Sequence, residues 1–153
     1  MVLHATYVSP LCLYFVILSA VGQDVVNVAI GKTYKQINKH PLQGPSSNAA
    51  NNNTSGVYEG NNCIHTVYDQ SDTNHWWEVD LGRTYPVQDI TVWARFNFVG
   101  NFNNRLYPFT ITVDNKTCVN VTSPPNIGRS NSVTCSSVMY GRVVRLTLTR
   151  TDR

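Results

Sequence analysis

The sequence predicts an all-β sandwich or jelly roll, and three observations carry that expectation. Apolar residues alternate by two in several short stretches, which places one face of each stretch against a core. No helical period outlasts a turn beyond residue 22. Long polar segments separate the alternating stretches, as recognition loops do on a short-stranded antiparallel scaffold.

The chain opens with an apolar run over residues 11–21, too short to span a bilayer comfortably, that ends in Ala20-Val21-Gly22. Small residues at the positions a signal peptidase reads predict a secretory signal over residues 1–22 and one domain over residues 23–153. That length supports one core and not two. No later segment is apolar enough to cross a membrane as a helix. The net charge of +3 is spread along the chain rather than clustered, which argues against nucleic acid as a partner.

The strands read in order. In Trp77-Glu78-Val79-Asp80-Leu81 the odd positions form the apolar face. In the next stretch Ile90, Val92 and Ala94 form one set and Thr91, Trp93 and Arg95 the other. Phe109-Thr110-Ile111-Thr112-Val113 and Val144-Arg145-Leu146-Thr147-Leu148-Thr149 alternate in the same way. Gly82-Arg83, Asp114-Asn115 and Gly141 supply turn chemistry between them. The polar loops are residues 43–62, 67–75, 98–104 and 123–132.

Removal of residues 1–22 takes Cys12 away and leaves Cys63, Cys118 and Cys135, an odd number in an oxidising compartment. Cys118 and Cys135 bracket a loop rich in Pro, Ser and Asn and are expected to pair, closing a hairpin-like excursion; Cys63 is then left over. Acceptor sequons for N-glycosylation begin at Asn52, Asn53, Asn115 and Asn120.

Taken in order, Asn27-Val28-Ala29-Ile30-Gly31-Lys32, Asn48-Ala49-Ala50-Asn51-Asn52-Asn53, Cys63-Ile64-His65-Thr66 and Trp76-Trp77-Glu78-Val79-Asp80-Leu81 resemble the F-type lectins, or fucolectins. The resemblance covers nearly all of residues 27–148 and implies a discoidin-like jelly-roll β-sandwich. In that family the first cysteine pairs with one in a final strand. This chain ends before such a stretch, so the resemblance implies an absent last strand and an unpaired Cys63.

The family's sugar motif, a His followed by Arg-x-Asp and a further basic residue, falls on His65, Arg95, Asn97 and Arg105. Guanidinium forks and an imidazole can together grip an axial hydroxyl and a ring oxygen. Asn97 stands where the family has an Asp that would orient the arginine, so Arg95 is held less firmly. The segments from His65 to Arg95 and from Asn97 to Arg105 are each three residues longer than the family spacing. Phe96, Phe98 and Phe102 offer apolar surface for the sugar, and Tyr58 with Val57 for its methyl group.

The resemblance also implies a structural Ca²⁺ held by Asn48, Asn51, Asn53, Asn62 and the Cys63 carbonyl. All of these donors are neutral, and a hard cation draws its affinity from carboxylates, so weak or no binding is expected. No nucleophile–base pair, zinc motif or paired carboxylates point to catalysis. The expected function is binding of fucosylated or related glycans outside the cell, with avidity from several copies, by oligomerisation or within a larger parent chain. The alternative is an adhesion or interaction module of the same fold that has lost fucose specificity.

Overall fold

The computed structural model describes residues 2–5, 14–21, 24–37, 44–54, 63–64, 66, 75–94, 96–97, 100–101, 106–123 and 130–149. Its strands are β1 (Val2–Ala5), β2 (Tyr14–Val21), β3 (Asp24–Asn27), β4 (Thr33–Gln36), β5 (His75–Trp93), β6 (Phe96–Asn97), β7 (Gly100–Asn101), β8 (Phe109–Val113), β9 (Lys116–Val121) and β10 (Ser130–Leu148). The main sheet runs β1-β2-β5-β10-β8-β9, with β3 added on β2 and β4 on β5, and every pairing is antiparallel. A 3-10 helix, Ser46–Ala50, is the one helical element among the described residues.

The alternation read from sequence is the burial pattern found. Trp77, Val79 and Leu81 are buried, as are Ile90, Val92 and Ala94, Phe109, Ile111 and Val113, and Val144, Leu146 and Leu148. β5 and β10 are each 19 residues long. Straight strands of that length would reach about 60 Å, yet residues from both halves of each share one core. The antiparallel β5–β10 pair therefore folds over on itself into two layers.

Gly82 (φ +82°) marks the fold in β5, and register shifts between Thr134 and Met139 and between Gly141 and Val143 mark it in β10. Thus Gly82 and Gly141, expected as turns, are bends within continuous strands; Asp114-Asn115 is the true reversal, with both residues at positive φ. Gly141 is required sterically, because a Cβ there would lie 2.3 Å from Val113 Cγ1.

Cys118 and Cys135 are bonded, as expected. Their role differs from the expected one. Cys118 lies on β9, beside β8 and the first half of β5's layer, whereas Cys135 follows the part of β10 that pairs with Asp89–Trp93 of β5. The bond ties one layer to the other rather than closing an excursion.

The folded end is locked by charge. The two carboxylate oxygens of Asp80 accept from Arg142 Nε at 2.6 Å and Nη2 at 2.7 Å, and Oδ1 also accepts from the Gly82 N–H at 2.8 Å. Asp114 Oδ1 accepts from the Arg142 and Val143 N–H groups at 3.1 and 2.8 Å. The Arg142 contacts, chiefly, hold the Asp80 carboxyl at about 2 against an ordinary 3.8. A carboxyl depressed in the folded state contributes stability that is present above pH 3.8 and is lost as the pH falls through about 2. Wild type should therefore lose stability more steeply than Asp80→Asn between those values, and less so in high salt because the pair is exposed. Denaturant titrations at stepped pH would show parallel curves for the two proteins if this were wrong.

At the other edge of β5, the apolar run near the N-terminus forms β2, in register from Tyr14↔Trp93 to Leu18↔Asp89. In the 153-residue chain this segment thus takes the sheet position on the opposite side of β5 from β10. Cys63 is buried and disulfide-bonded, which corrects the expectation that it is left over. The odd count followed from subtracting Cys12; with residues 1–22 present the chain has four cysteines.

Candidate functional site

Pairing places His75, Leu148 and Phe109 level with one another at one end of the sandwich. The fold in β5 returns its Trp93 end to that same end, opposite Gly82, Asp114 and Arg142. Ala94, which follows Trp93, is the described residue next to Arg95.

His65, Arg95, Arg105 and Tyr58 lie outside the described residues, as does Asn62. Of Phe96 and Asn97 the backbone alone is described: they pair with Asn101 and Gly100 in a two-stranded ladder, β6–β7. A tight hairpin therefore begins the segment that leads from Asn97 toward Arg105.

The residues flanking the candidates are fixed. Ile64 and Thr66, on either side of His65, are both buried, and Thr66 Oγ1 lies 3.3 Å from His75 Nδ1 at the start of β5. Ala94 immediately precedes Arg95 and is buried; Leu106 immediately follows Arg105 and is fully buried. Residues next to three candidates far apart in sequence are thus buried in one scaffold.

Pattern reading missed two buried polar groups near this end. Among the described residues, Asn131, inward-facing opposite Val92, leaves both carboxamide atoms without a hydrogen-bond partner, and the Tyr107 hydroxyl, two residues before Phe109, also lacks one. Burial pushes the Tyr107 hydroxyl upward, so it stays protonated and can donate. The polar Asn131 amid the alternation of β10 was the only sequence signal for it.

Trp77 is buried, stacks on Tyr34 with ring centroids 5.9 Å apart, and donates from Nε1 to the Ser46 carbonyl at 3.0 Å. Trp76 lies half-buried on the outer face under the Arg145 guanidinium, 4.5 Å from the ring centroid, and Arg145 is in turn held by Glu78 Oε2 at 2.6 and 2.9 Å. Both tryptophans are packing residues, as their place in the strand suggests.

The calcium set fares less well. Asn48 belongs to the 3-10 helix and Asn51 ends it. The Asn51 Oδ1 already accepts from the Asn53 N–H at 2.9 Å. Among the described residues no group of three or more His, Cys, Asp or Glu side chains comes together. A neutral set with one oxygen engaged does not fit a tightly held Ca²⁺.

Several solved structures are similar to the chain. The lectin domain of lectinolysin, solved with Lewis b antigen, is 25% identical with a TM-score of 0.70, over 85% of this chain and 89% of that one. A fucose-binding module of Streptococcus pneumoniae is 23% identical with a TM-score of 0.65, over 82% and 88%. The striped bass (Morone saxatilis) serum fucolectin is 23% identical with a TM-score of 0.66, over 86% of this chain and 43% of that one. No curated protein matches the chain significantly. A family model described as the NedA-like, galactose-binding domain of the F5/F8 type C group matches residues 48–146. From the layered antiparallel architecture and that match, the chain belongs to the NedA-like, galactose-binding F5/F8 type C domains, in the discoidin-like fold shared with fucose-binding lectins.

Proposed function

We propose that this chain is a secreted, non-catalytic lectin domain that binds a terminal fucose-like sugar through His65, Arg95 and Arg105. The observation that carries the reading is that the described chain neighbours of all three, Ile64 and Thr66, Ala94, and Leu106, are buried in one scaffold. The likeness to a lectin domain solved with a fucosylated antigen supports the ligand class. In this reading two arginines and an imidazole supply directional, charge-assisted contacts to sugar hydroxyls, each netting about 1.5–3 kcal/mol. A shallow monovalent site of that kind binds at about 4–6 kcal/mol, in the millimolar to high micromolar range. Avidity then requires several copies, by oligomerisation or within a longer parent chain. Ca²⁺ is at most a weak ligand, given the neutral donors.

The test is titration calorimetry or saturation-transfer NMR with fucose, galactose and mannose on the correctly oxidised protein. Fucose should bind best, Arg95→Ala should weaken it at least tenfold with the fold intact, and His65→Gln should weaken it less. Galactose preferred over fucose would reassign the sugar. Indifference to all three, or an Arg95→Ala variant that binds as wild type, sinks the lectin reading in favour of a protein-interaction module. Asn97 in place of an acidic residue and the lengthened segment after it favour that second reading.

A further inference from the structure

We infer that Asn115 is a glycosylation site, carrying an N-linked oligosaccharide at the end of the domain remote from the sugar-binding loops. The inference rests on the secretory part of the reading above. Asn115 opens the sequon Asn115-Lys116-Thr117. All three residues are exposed, and Asn115 sits at the tip of the β8–β9 reversal with φ +65°. Its carboxamide makes no hydrogen bond among the described residues, so Nδ2 is free to react.

The other sequon on this hairpin contrasts with it. The Asn120 carboxamide is held on the sheet surface, its Oδ1 accepting from Thr110 Oγ1 at 2.7 Å. Of the overlapping pair in the first loop, Asn53 is partly buried and its N–H is bound to Asn51. The turn that presents Asn115 is itself rigid, because the neighbouring Asp114 carboxylate binds the N–H groups of Arg142 and Val143.

In the transfer, Asn115 Nδ2 bonds to C1 of the first sugar of a lipid-linked oligosaccharide. The C1–O bond to the pyrophosphate breaks, the phosphate oxygen leaves with the electron pair, and the amide loses one proton. The location also makes physical sense. Among the described residues β9 is one edge strand of the sheet, and a bulky hydrophilic group at its start blocks a second chain from adding there. It does so at the folded end, marked by Gly82 and Arg142, so the loop end stays open to ligand.

The experiment expresses the full chain behind an added secretion leader in eukaryotic cells, so entry to the secretory path does not depend on its own first residues. Amidase release in heavy-oxygen water, followed by peptide mapping, should convert Asn115 to labelled Asp. Thr117→Ala, which leaves the turn residues in place, should remove one glycan by mass, and Thr117→Ser should restore it. Asn120→Gln should not remove that glycan. Secreted, disulfide-bonded protein with unlabelled Asn115 overturns the inference. Where the chain goes without the added leader is scored separately: retention inside the cell then counts against the secretory reading alone.

Discussion

Replacing Trp77 by Ala should destabilise the domain by about 3–5 kcal/mol, the range for deleting a large buried aromatic. Trp77 is fully buried in the first layer, flanked by Val79 on the same face and stacked on Tyr34. Deletion leaves a cavity that the backbone of β5, paired with β4 on one side and β10 on the other, cannot collapse to fill. It also strips the Ser46 carbonyl of its partner at the start of the 3-10 helix, which carries Asn48. Trp77→Phe separates the two effects: the ring volume is largely kept, and the lost hydrogen bond alone should cost about 1 kcal/mol. Chemical denaturation measures both. A shift for Trp77→Ala no larger than that for Trp77→Phe would mean that the site relaxes around the void, contrary to the two-sided pairing of β5.

What the sequence made legible follows from the physics of alternation. Where one face of a strand is buried, every second residue reports it, and so the inward sets from Trp77 through Leu148 can be assigned from the alternation alone. The fold-over of β5 and β10 cannot. Gly82 and Gly141 look like hairpin turns, and only the pairing shows that the chain continues in the same strand past each of them. The interlayer role of Cys118–Cys135 is hidden for the same reason, since it depends on which half of β10 faces β9. The candidate sugar residues are legible as an ordered motif rather than as a period, because loop positions carry no periodic signal. Asn131 shows the converse: an inward-facing polar residue is visible in the pattern, but whether it has a partner is a property of the packed chain.

The pairing of β2 with β5, within the segment that the sequence marks as a secretory signal, sets the second large expected effect. Processing after Gly22 would remove β2 and uncover the backbone of β5 from Asp89 to Trp93. It would also take away Cys12. With Cys118 and Cys135 bonded to one another, Cys63 would then have no other cysteine within residues 23–153 to bond. Loss of a native disulfide from a small secreted domain costs about 2–5 kcal/mol, and an uncovered edge beside apolar Ile90 and Val92 recruits a strand from another molecule. Purified residues 23–153 should therefore unfold at clearly lower denaturant than residues 1–153. They should also self-associate, in part through Cys63, when examined by light scattering with and without reductant. Residues 1–153 should show none of this Cys63-dependent association. N-terminal mass analysis of the protein recovered from its own cells and from their medium then tells which form operates. If residues 23–153 prove monomeric and as stable as the full chain, β2 is dispensable, and the edge of β5 is not the weak point that the pairing predicts.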